Sequence, residues 1–453
     1  LALEELVAKI GFISLGCPKN LVDSEVMIGL LKNQGHILTS DARDADVIVI
    51  NTCSFIKDSK KESVDAILAA AQLKISGKCK RLVVAGCLAE RYPGEIQTDL
   101  PEVDAILGTN QIENIGKAVS GIRISLPNSF GRSDAELYLY DHRTPRTLIT
   151  PPYTAYLKIS EGCDHSCSFC IVPKIRGRMR SRGLQSLVQE ATQLASTGVK
   201  ELTLISQDTT SYGMDFGLAD GLSHLLEALD KVKGLRWIRF LYAYPSRISN
   251  RLLETIESSD KICRYIDMPL QHVSTHILKS MRRGGNRSSL TRMIERLRRR
   301  IPEVTLRTTM IVGFPGETVE DFKELESFCG ENEFDRLGVF TYSEEEDTIA
   351  HALEPKVPER TAFRRQRILM EQQAAIARRK NGELLGREFP TLIEGFSNES
   401  DLLLQGRLES QAPDIDGVCL INDSQVKTVE SGQFRTIRIT RVLGHDLLGT
   451  IVR

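Results

Sequence analysis

Over the first 120 positions, apolar residues gather into short β-rich runs separated by stretches of helical periodicity. Residues 10–15, 47–50 and 82–85 read as buried strands, and residues 22–34, 60–73 and 88–96 carry the helical pattern that follows each of them. A further apolar run at 105–107 adds an edge strand. Strands alternating with helices predict a doubly wound parallel sheet, here an α/β domain over residues 8–122. The pattern then lapses. Pro127, Pro145, Pro151 and Pro152 are scattered among Gly, Ser, Asp and Arg, which marks residues 123–152 as a linker.

A longer alternation follows, with strand candidates at 155–159, 202–206, 237–242, 265–268, 306–312 and 337–342. Six βα repeats fit an incomplete (β/α)6 TIM-like barrel over residues 153–384, with ligands expected at the carboxyl ends of its strands. Beyond a charged helical stretch at 360–385, short runs at 390–394, 402–408, 418–421 and 436–442 are punctuated by glycines. They predict a small antiparallel β-barrel over residues 386–453. The whole is an α/β multidomain chain without solenoid repeats or low-complexity tracts.

Composition narrows the class. The 453 residues suit about three domains. With 59 basic against 60 acidic residues, 41% hydrophobic and 26% charged, the chain is neither disordered, nor collagen-like, nor a generally basic nucleic-acid binder. No apolar stretch approaches the ~20 residues of a membrane span. Glu4 and Glu5 stand where a signal peptide would be basic and then apolar, so a cytoplasmic location and no membrane partner are expected. Ten cysteines are too few for a disulfide scaffold of this length, and clustered cysteines in a reducing compartment point to metal or redox chemistry.

Two cysteine constellations carry that chemistry. Cys163-Asp-His-Ser-Cys167-Ser-Phe-Cys170 follows the first predicted barrel strand directly. Thiolates at this spacing can hold three irons of a 4Fe-4S cluster and leave the fourth open. The alternative is a Cys3His zinc site completed by His165, although no second Cys-x2-Cys pair exists. The second constellation is Cys17, Cys53 and Cys87, each just past a predicted strand of the first domain. In a parallel sheet all three would meet at the carboxyl edge, where such sheets bind ligands. That suggests a second 4Fe-4S cluster with an open iron, against the alternative of three small buried residues at strand ends. Cys79, Cys263, Cys329 and Cys419 have no partner at ligand spacing.

The Cys-x3-Cys-x2-Cys loop resembles that of the radical S-adenosylmethionine superfamily. Two triads, an α/β domain ahead of the barrel and a terminal β module together resemble the methylthiotransferase family, whose terminal module is the TRAM domain. The stretches that carry the likeness are Ser14-Leu-Gly-Cys17-Pro-Lys-Asn-Leu-Val-Asp-Ser-Glu25, Asn51-Thr-Cys-Ser-Phe-Ile56, Lys158-Ile-Ser-Glu-Gly-Cys163, Met268-Pro-Leu-Gln-His272 and Arg307-Thr-Thr-Met-Ile-Val-Gly-Phe-Pro-Gly-Glu-Thr318. Pro-Lys-Asn after Cys17, where tRNA-modifying branches usually carry Gln-Met-Asn or Lys-Val-Asn, is most similar to the branch that modifies an aspartate of small-subunit ribosomal protein twelve. Asp347 in place of a common glycine and Ser59 in place of a common alanine are small departures.

The resemblance implies two 4Fe-4S clusters, one on Cys163, Cys167 and Cys170 and one on Cys17, Cys53 and Cys87, with S-adenosyl-L-methionine chelating the open iron of the former. One molecule of it would donate a methyl group to a sulfur on the second cluster, and another would supply the radical that takes hydrogen from an unactivated carbon. It places cofactor contacts at Gln207, Asp208, Gly313, Gly316 and Glu317, all just past barrel strands. It also implies ribosomal protein twelve as substrate and a reducing donor of flavodoxin or ferredoxin type. No side chain is assigned as a catalytic acid or base, because a C–H bond without acidity gives a general base nothing to do.

Charge separates the rivals. Residues 386–453 carry seven basic against ten acidic side chains, a net of −3. A tRNA-gripping module should be basic, whereas an acidic one suits a basic protein partner, so nucleic acid is not expected as the direct substrate. An acidic surface without a binding role is the plainer alternative. The competing functions are a tRNA adenosine methylthiotransferase and, from another class, a non-catalytic metal-stabilised ribosome-binding protein. Lys174, Arg176, Arg178, Arg180 and Arg182 could line a path for an acidic target or form a solvated run.

Overall fold

The central strands of the first domain's sheet are built round continuous apolar runs, and the structure covers both of the sheet's faces. The structure is a computed structural model that describes residues 7–127, 138–397, 400–424 and 428–452. Its elements are β1 Lys9–Ser14, α1 Pro18–Asn33, β2 Ile37–Thr39, β3 Val47–Thr52, α2 Lys57–Ser76, β4 Arg81–Gly86, α3 Cys87–Arg91, α4 Pro93–Asp99, β5 Ala105–Leu107 and α5 Ile115–Val119. The strands pair in parallel in the order β2-β1-β3-β4-β5. Side chains of a strand alternate between faces. Val47 and Val49 accordingly meet Val22, Val26 and Ile115, while Ile48 and Ile50 meet Ile67, Ala70 and Leu88. The single helix expected at 88–96 is two, α3 and α4, because Pro93 lacks an N–H and keeps Tyr92 out of helical geometry.

Residues 128–137 of the expected linker lie outside the described residues. Residues 138–153 run between the domains without helix or strand. Arg146 pins them by binding Glu25 of α1 at 2.6 Å, the backbone O of Tyr156 at 2.7 Å and Glu190 at 2.6 Å.

The barrel comprises β6 Thr154–Lys158, β7 Ser160–Glu161, α6 Val172–Arg176, β8 Arg180–Ser181, α7 Leu184–Ser196, β9 Glu201–Ile205, α8 Gly221–Asp230, β10 Trp237–Phe240, α9 Asn250–Glu257, β11 Tyr265–Asp267, α10 Thr275–Ser280, α11 Arg287–Arg300, β12 Thr305–Val312, α12 Val319–Asn332, β13 Arg336–Thr341 and α13 Glu359–Gly382. Two three-stranded parallel sheets, β6-β9-β10 and β11-β12-β13, form its wall. They are joined by a parallel bridge between Ile238 and Ile262 and by Ala243 N–H donating to Asp267 O at 2.8 Å. All six strand candidates are therefore strands of the wall.

The terminal module closes as a barrel of β14 Glu388–Ser397, β15 Ser400–Leu408, β16 Cys419–Ser424, β17 Phe434–Leu443 and β18 Asp446–Ile451, in the order β14-β15-β16-β18-β17. It departs from an all-antiparallel barrel at one seam, because β16 and β18 pair in parallel. Alternation along a strand sets which face is buried and carries no signal for direction.

This module plugs the amino ends of the wall strands. Arg407 pairs with Glu201 at the start of β9, and Arg239 joins them at 3.2 Å from Glu201. In the loop after β15, Asp414 accepts from Tyr156 at 2.8 Å and Asp416 from Tyr265 at 2.7 Å. The opposite, carboxyl end of the wall is left to face the first domain.

Candidate active site

The loop of Cys163, Cys167 and Cys170 leaves β7 at the carboxyl end of the wall and is tied down along its length. Ser168 N–H donates to Met281 O at 3.0 Å, its hydroxyl donates to Ser280 O at 2.7 Å, and Ala350 N–H donates to Ser168 O at 2.7 Å. The three cysteines line one cavity of about 390 Å³ with Lys174, Arg178 and Asp347. Arg283 reaches Cys167 Sγ at 3.6 Å. His165, the ligand that a zinc site would require, is committed elsewhere: its Nε2 lies 2.6 Å from Asp208 and its ring stacks on Tyr244 at 3.9 Å. Among the described residues, no three His, Cys, Asp or Glu side chains converge as a single-ion site would need. A cubane cluster asks for something different, each thiolate on its own iron.

Cys17, Cys53 and Cys87 stand past β1, β3 and β4, three adjacent strands, so the parallel topology gathers them at one edge. Gly16 makes the approach possible, since a Cβ there would lie 2.8 Å from Cys53 Cβ and 3.1 Å from its Sγ. Gly86, at φ +95°, performs the same service before Cys87. The loops are locked by amides: Asn20 Nδ2 donates to Thr52 O at 2.8 Å, and Asn51 Nδ2 donates to Asn20 O at 2.8 Å and to Ser24 Oγ at 2.9 Å. Burial would push the Cys17 thiol up, but the charges of Lys19 and Arg176 and the N–H groups of Asn20 and Lys19 outweigh it and hold the thiol below its ordinary value. Burial dominates elsewhere, taking Cys87 and Cys170 up to about 12 and Cys163 to about 11. Such thiols are protonated at neutral pH until a metal takes them as thiolates, so loading either triad expels protons. Three thiols lining one cavity and three gathered at one sheet edge are donor sets that fit iron–sulfur clusters.

The two triads share a short helix. Residues following Cys170 enter α6, whose Ile175, with Ile171 just ahead of it, packs on Cys87. From the same helix Arg176 donates to Cys87 Sγ at 3.5 Å and to Asn20 at 2.5 Å. Arg176 also binds Asp23 at 3.1 Å and Glu161 at 2.9 Å, and Lys158 pairs with the same two carboxylates. This buried quartet welds α1 of the first domain to β6 and β7 of the barrel. Sequence reasoning missed it: Lys158, Glu161 and Asp23 sit inside the stretches quoted above, but nothing local signals a pairing across 135 positions. The basic run after the triad divides, with Arg176 and Arg182 buried in ion pairs and Lys174 and Arg178 at the cavity.

The remaining expected residues are placed as follows. Gln207 donates to Glu161 at 2.8 Å, and its Oε1 is buried without a hydrogen-bond partner among the described residues. Asp208 accepts from Thr210 N–H at 2.9 Å and from the Ser211 hydroxyl, and thereby fixes His165. Glu317 is turned inward, accepting from Gly313 N–H and pairing with Arg365 at 3.0 Å, so it secures the turn. Gly316 N–H donates to Pro355 O at 2.8 Å. Ser160 and Ser206 hydroxyls at the same end of the wall are also buried and unpartnered among the described residues, as expected of a chamber whose ligand supplies the missing bonds.

Comparison with known proteins agrees with this anatomy. Residues 9–108 match the family described as "Uncharacterized protein family UPF0004", residues 157–329 the radical SAM superfamily and residues 385–452 the TRAM domain. The chain is 51% identical to "Ribosomal protein uS12 methylthiotransferase RimO" of Solibacter usitatus, covering 98% of this chain and 95% of that protein. It is 44% identical to the protein of the same name in Geobacter sulfurreducens, covering 98% of each. Among solved structures, the radical S-adenosylmethionine methyltransferase TsrM of Kitasatospora setae, with cobalamin and a [4Fe-4S] cluster, matches with a TM-score of 0.55 at 14% identity, covering 76% of this chain and 77% of that one. That likeness concerns the fold. With three domains in the same order and close relatives aligned along 98% of its length, the chain belongs to the RimO family of radical SAM methylthiotransferases.

Proposed function

We propose that this enzyme transfers a methylthio group to the β-carbon of an aspartate in ribosomal protein uS12, with one 4Fe-4S cluster on Cys163, Cys167 and Cys170 and a second on Cys17, Cys53 and Cys87. The observation that carries the reading is α6, a single turn and a half of helix that follows one triad directly and touches the other through Ile175 and Arg176. Sulfur transfer needs a radical generator and a sulfur carrier side by side, and this helix supports that placement. When bound, the cluster of the barrel together with S-adenosylmethionine supplies a radical that takes hydrogen from an unactivated carbon, and the other cluster supplies the sulfur.

The chain's own residues hold these groups and shape their surroundings. Each triad offers three thiolates and leaves one iron position to a non-protein ligand. Arg176 and Arg283 direct N–H groups at Cys87 and Cys167, and hydrogen bonds to cluster sulfurs are a lever on potential. Gln207, Asp208, Gly313, Gly316 and Glu317 border the S-adenosylmethionine site, the last three by shaping its turn. A flavodoxin- or ferredoxin-type protein is the reducing partner, and the cytoplasm is the setting. The acidic terminal module, net −3 over residues 386–453, favours a basic protein substrate over tRNA.

The test is anaerobic reconstitution of Cys53→Ala. The expected outcome is loss of methylthio transfer to uS12 with continued formation of 5′-deoxyadenosine, whereas Cys163→Ala loses both. Unchanged transfer by Cys53→Ala would refute the assignment of the sulfur site.

A further inference from the structure

Between the two triads, the carboxyl end of the wall holds one more cation. Lys19, the second residue of α1, projects from the first domain onto the face of Tyr242, with Nζ 3.4 Å from the ring centroid. The fully buried cations of the wall are answered by carboxylates: Lys158 and Arg176 by Asp23 and Glu161, Arg182 by Glu190, Arg239 and Arg407 by Glu201. Among the described residues Lys19 forms no ion pair with a carboxylate. Its charge interacts with the Cys17 thiol two residues earlier, and Tyr242 gives it an aromatic face. Lys19 is half-buried and no carboxylate among the described residues occupies it, so a ligand anion can reach its ammonium near Cys17.

The surroundings are built to receive a ligand. Tyr242 lies two residues past β10 at φ +63° and Gln271 four residues past β11 at φ +73°, so the segments leaving two successive wall strands each hold a non-glycine residue in left-handed backbone. Strain of that kind persists where the surroundings enforce it, and it gathers at ligand sites. Here Asp267 enforces it by accepting Tyr242 N–H at 2.9 Å, and Thr309 and Ile311 clamp the backbone of Gln271 at 2.8 and 2.7 Å. The Gln271 Oε1 is buried and unpartnered among the described residues, as are the Ser206 hydroxyl and Gln207 Oε1 at the neighbouring strand end. A cation on a rigid aromatic face, with unpartnered acceptors at the same end of the wall, suits a ligand that brings a carboxylate and backbone or amine N–H groups.

We propose that Lys19, positioned by Tyr242, receives the carboxylate of the acceptor aspartate and selects a carboxylate-bearing side chain over a neutral one. Holding the carboxylate there keeps the adjacent β-carbon next to Cys17 and its partners, two residues before Lys19 in sequence. The proposal rests on the aspartate reading given under Proposed function.

The test compares uS12 with uS12 carrying Asn in place of the acceptor aspartate, an isosteric loss of charge, using full-length reconstituted enzyme. The native enzyme should favour the aspartate substrate by about 100-fold or more in kcat/KM, since a site built for a polar group strongly rejects its lack. Lys19→Met should lose transfer to the aspartate substrate and bring the two substrates within about tenfold, and Lys19→Arg should restore the preference. Iron content and the electron paramagnetic resonance signals of both reduced clusters should match the native enzyme in both variants. Equal use of the two substrates by the native enzyme would overturn the proposal without any variant. So would an undiminished preference in Lys19→Met, or loss of iron in that variant, which would make Lys19 a support for the cluster. Transfer to tRNA and to neither uS12 would overturn the functional reading itself, and the proposal with it.

Discussion

Arg176→Gln tests the junction on which both triads depend. Arg176, Lys158, Asp23 and Glu161 have side chains no more than 6% exposed, and together they are electrically neutral. Glutamine retains some reach toward Asn20 but removes one positive charge, so two carboxylates are left with Lys158 alone. Removing one partner from a buried pair costs about 3–5 kcal/mol, chiefly because the remaining charge stays desolvated. Adding Asp23→Asn to Arg176→Gln restores neutrality as Lys158 with Glu161, and should recover roughly 1–3 kcal/mol as the coupling in a double-mutant cycle. Although burial opposes it, the charges of Arg176 and Lys158 hold Glu161 well below the ordinary carboxylate range. A carboxylate so depressed contributes fully above its unfolded pKa of about 4.3 and loses the contribution only as pH falls through the lower folded value, so the penalty should be flat across neutral pH. The assay is urea unfolding of the apo-protein, read on the transition that releases the first domain from the barrel. A cost below about 1 kcal/mol, or no recovery in the double variant, would refute the charge accounting.

Gly86→Ala places a Cβ 2.2 Å from Asn51 Oδ1 at a φ of +95°, so the Cys87 loop must move; iron analysis should show loss of the first-domain cluster and roughly half the native iron, while full iron would contradict the crowding. Arg407→Leu strips Glu201 of its closest partner and leaves Arg239 at 3.2 Å, so thermal unfolding should show a loss of about 3–5 kcal/mol together with faster proteolysis between the barrel and the terminal module. Asp321 is partly desolvated, yet hydrogen bonds from Ser274, from the backbone and side chain of Thr318 and from His276 bring its pKa down to about 2. Its contribution, whole above about pH 4 and lost as pH falls toward 2, is roughly 2 kcal/mol, so Asp321→Asn should lower stability at neutral pH and flatten the acid limb of the stability profile.

Much of this architecture was legible because the informative patterns are local. The wall strands, the parallel sheet and the placement of both triads follow from short apolar runs and from cysteines that begin two to four positions past them. β2 was missed because Ile37–Thr39 is a sheet-edge strand with Ile37 exposed, so it adds no buried apolar run of its own, unlike the equally short β5. The split of α3 from α4 was written in Pro93 and could have been read. Other features depend on partners far apart in sequence. The quartet around Arg176, the plug formed by Asp414 and Asp416 under the wall and the meeting of Lys19 with Tyr242 all join residues separated by more than 130 positions. Charged residues in such places look like solvated surface until the fold assigns them a neighbour.

This chain places a methylthio group on a protein carboxylate side chain. The most direct measurement is mass spectrometry after anaerobic turnover of reconstituted enzyme offered uS12 and unmodified tRNA in one reaction. A methylthio adduct on an aspartate of uS12 with unmodified adenosines is expected; an adduct on adenosine with uS12 unchanged would refute the assignment of a protein substrate.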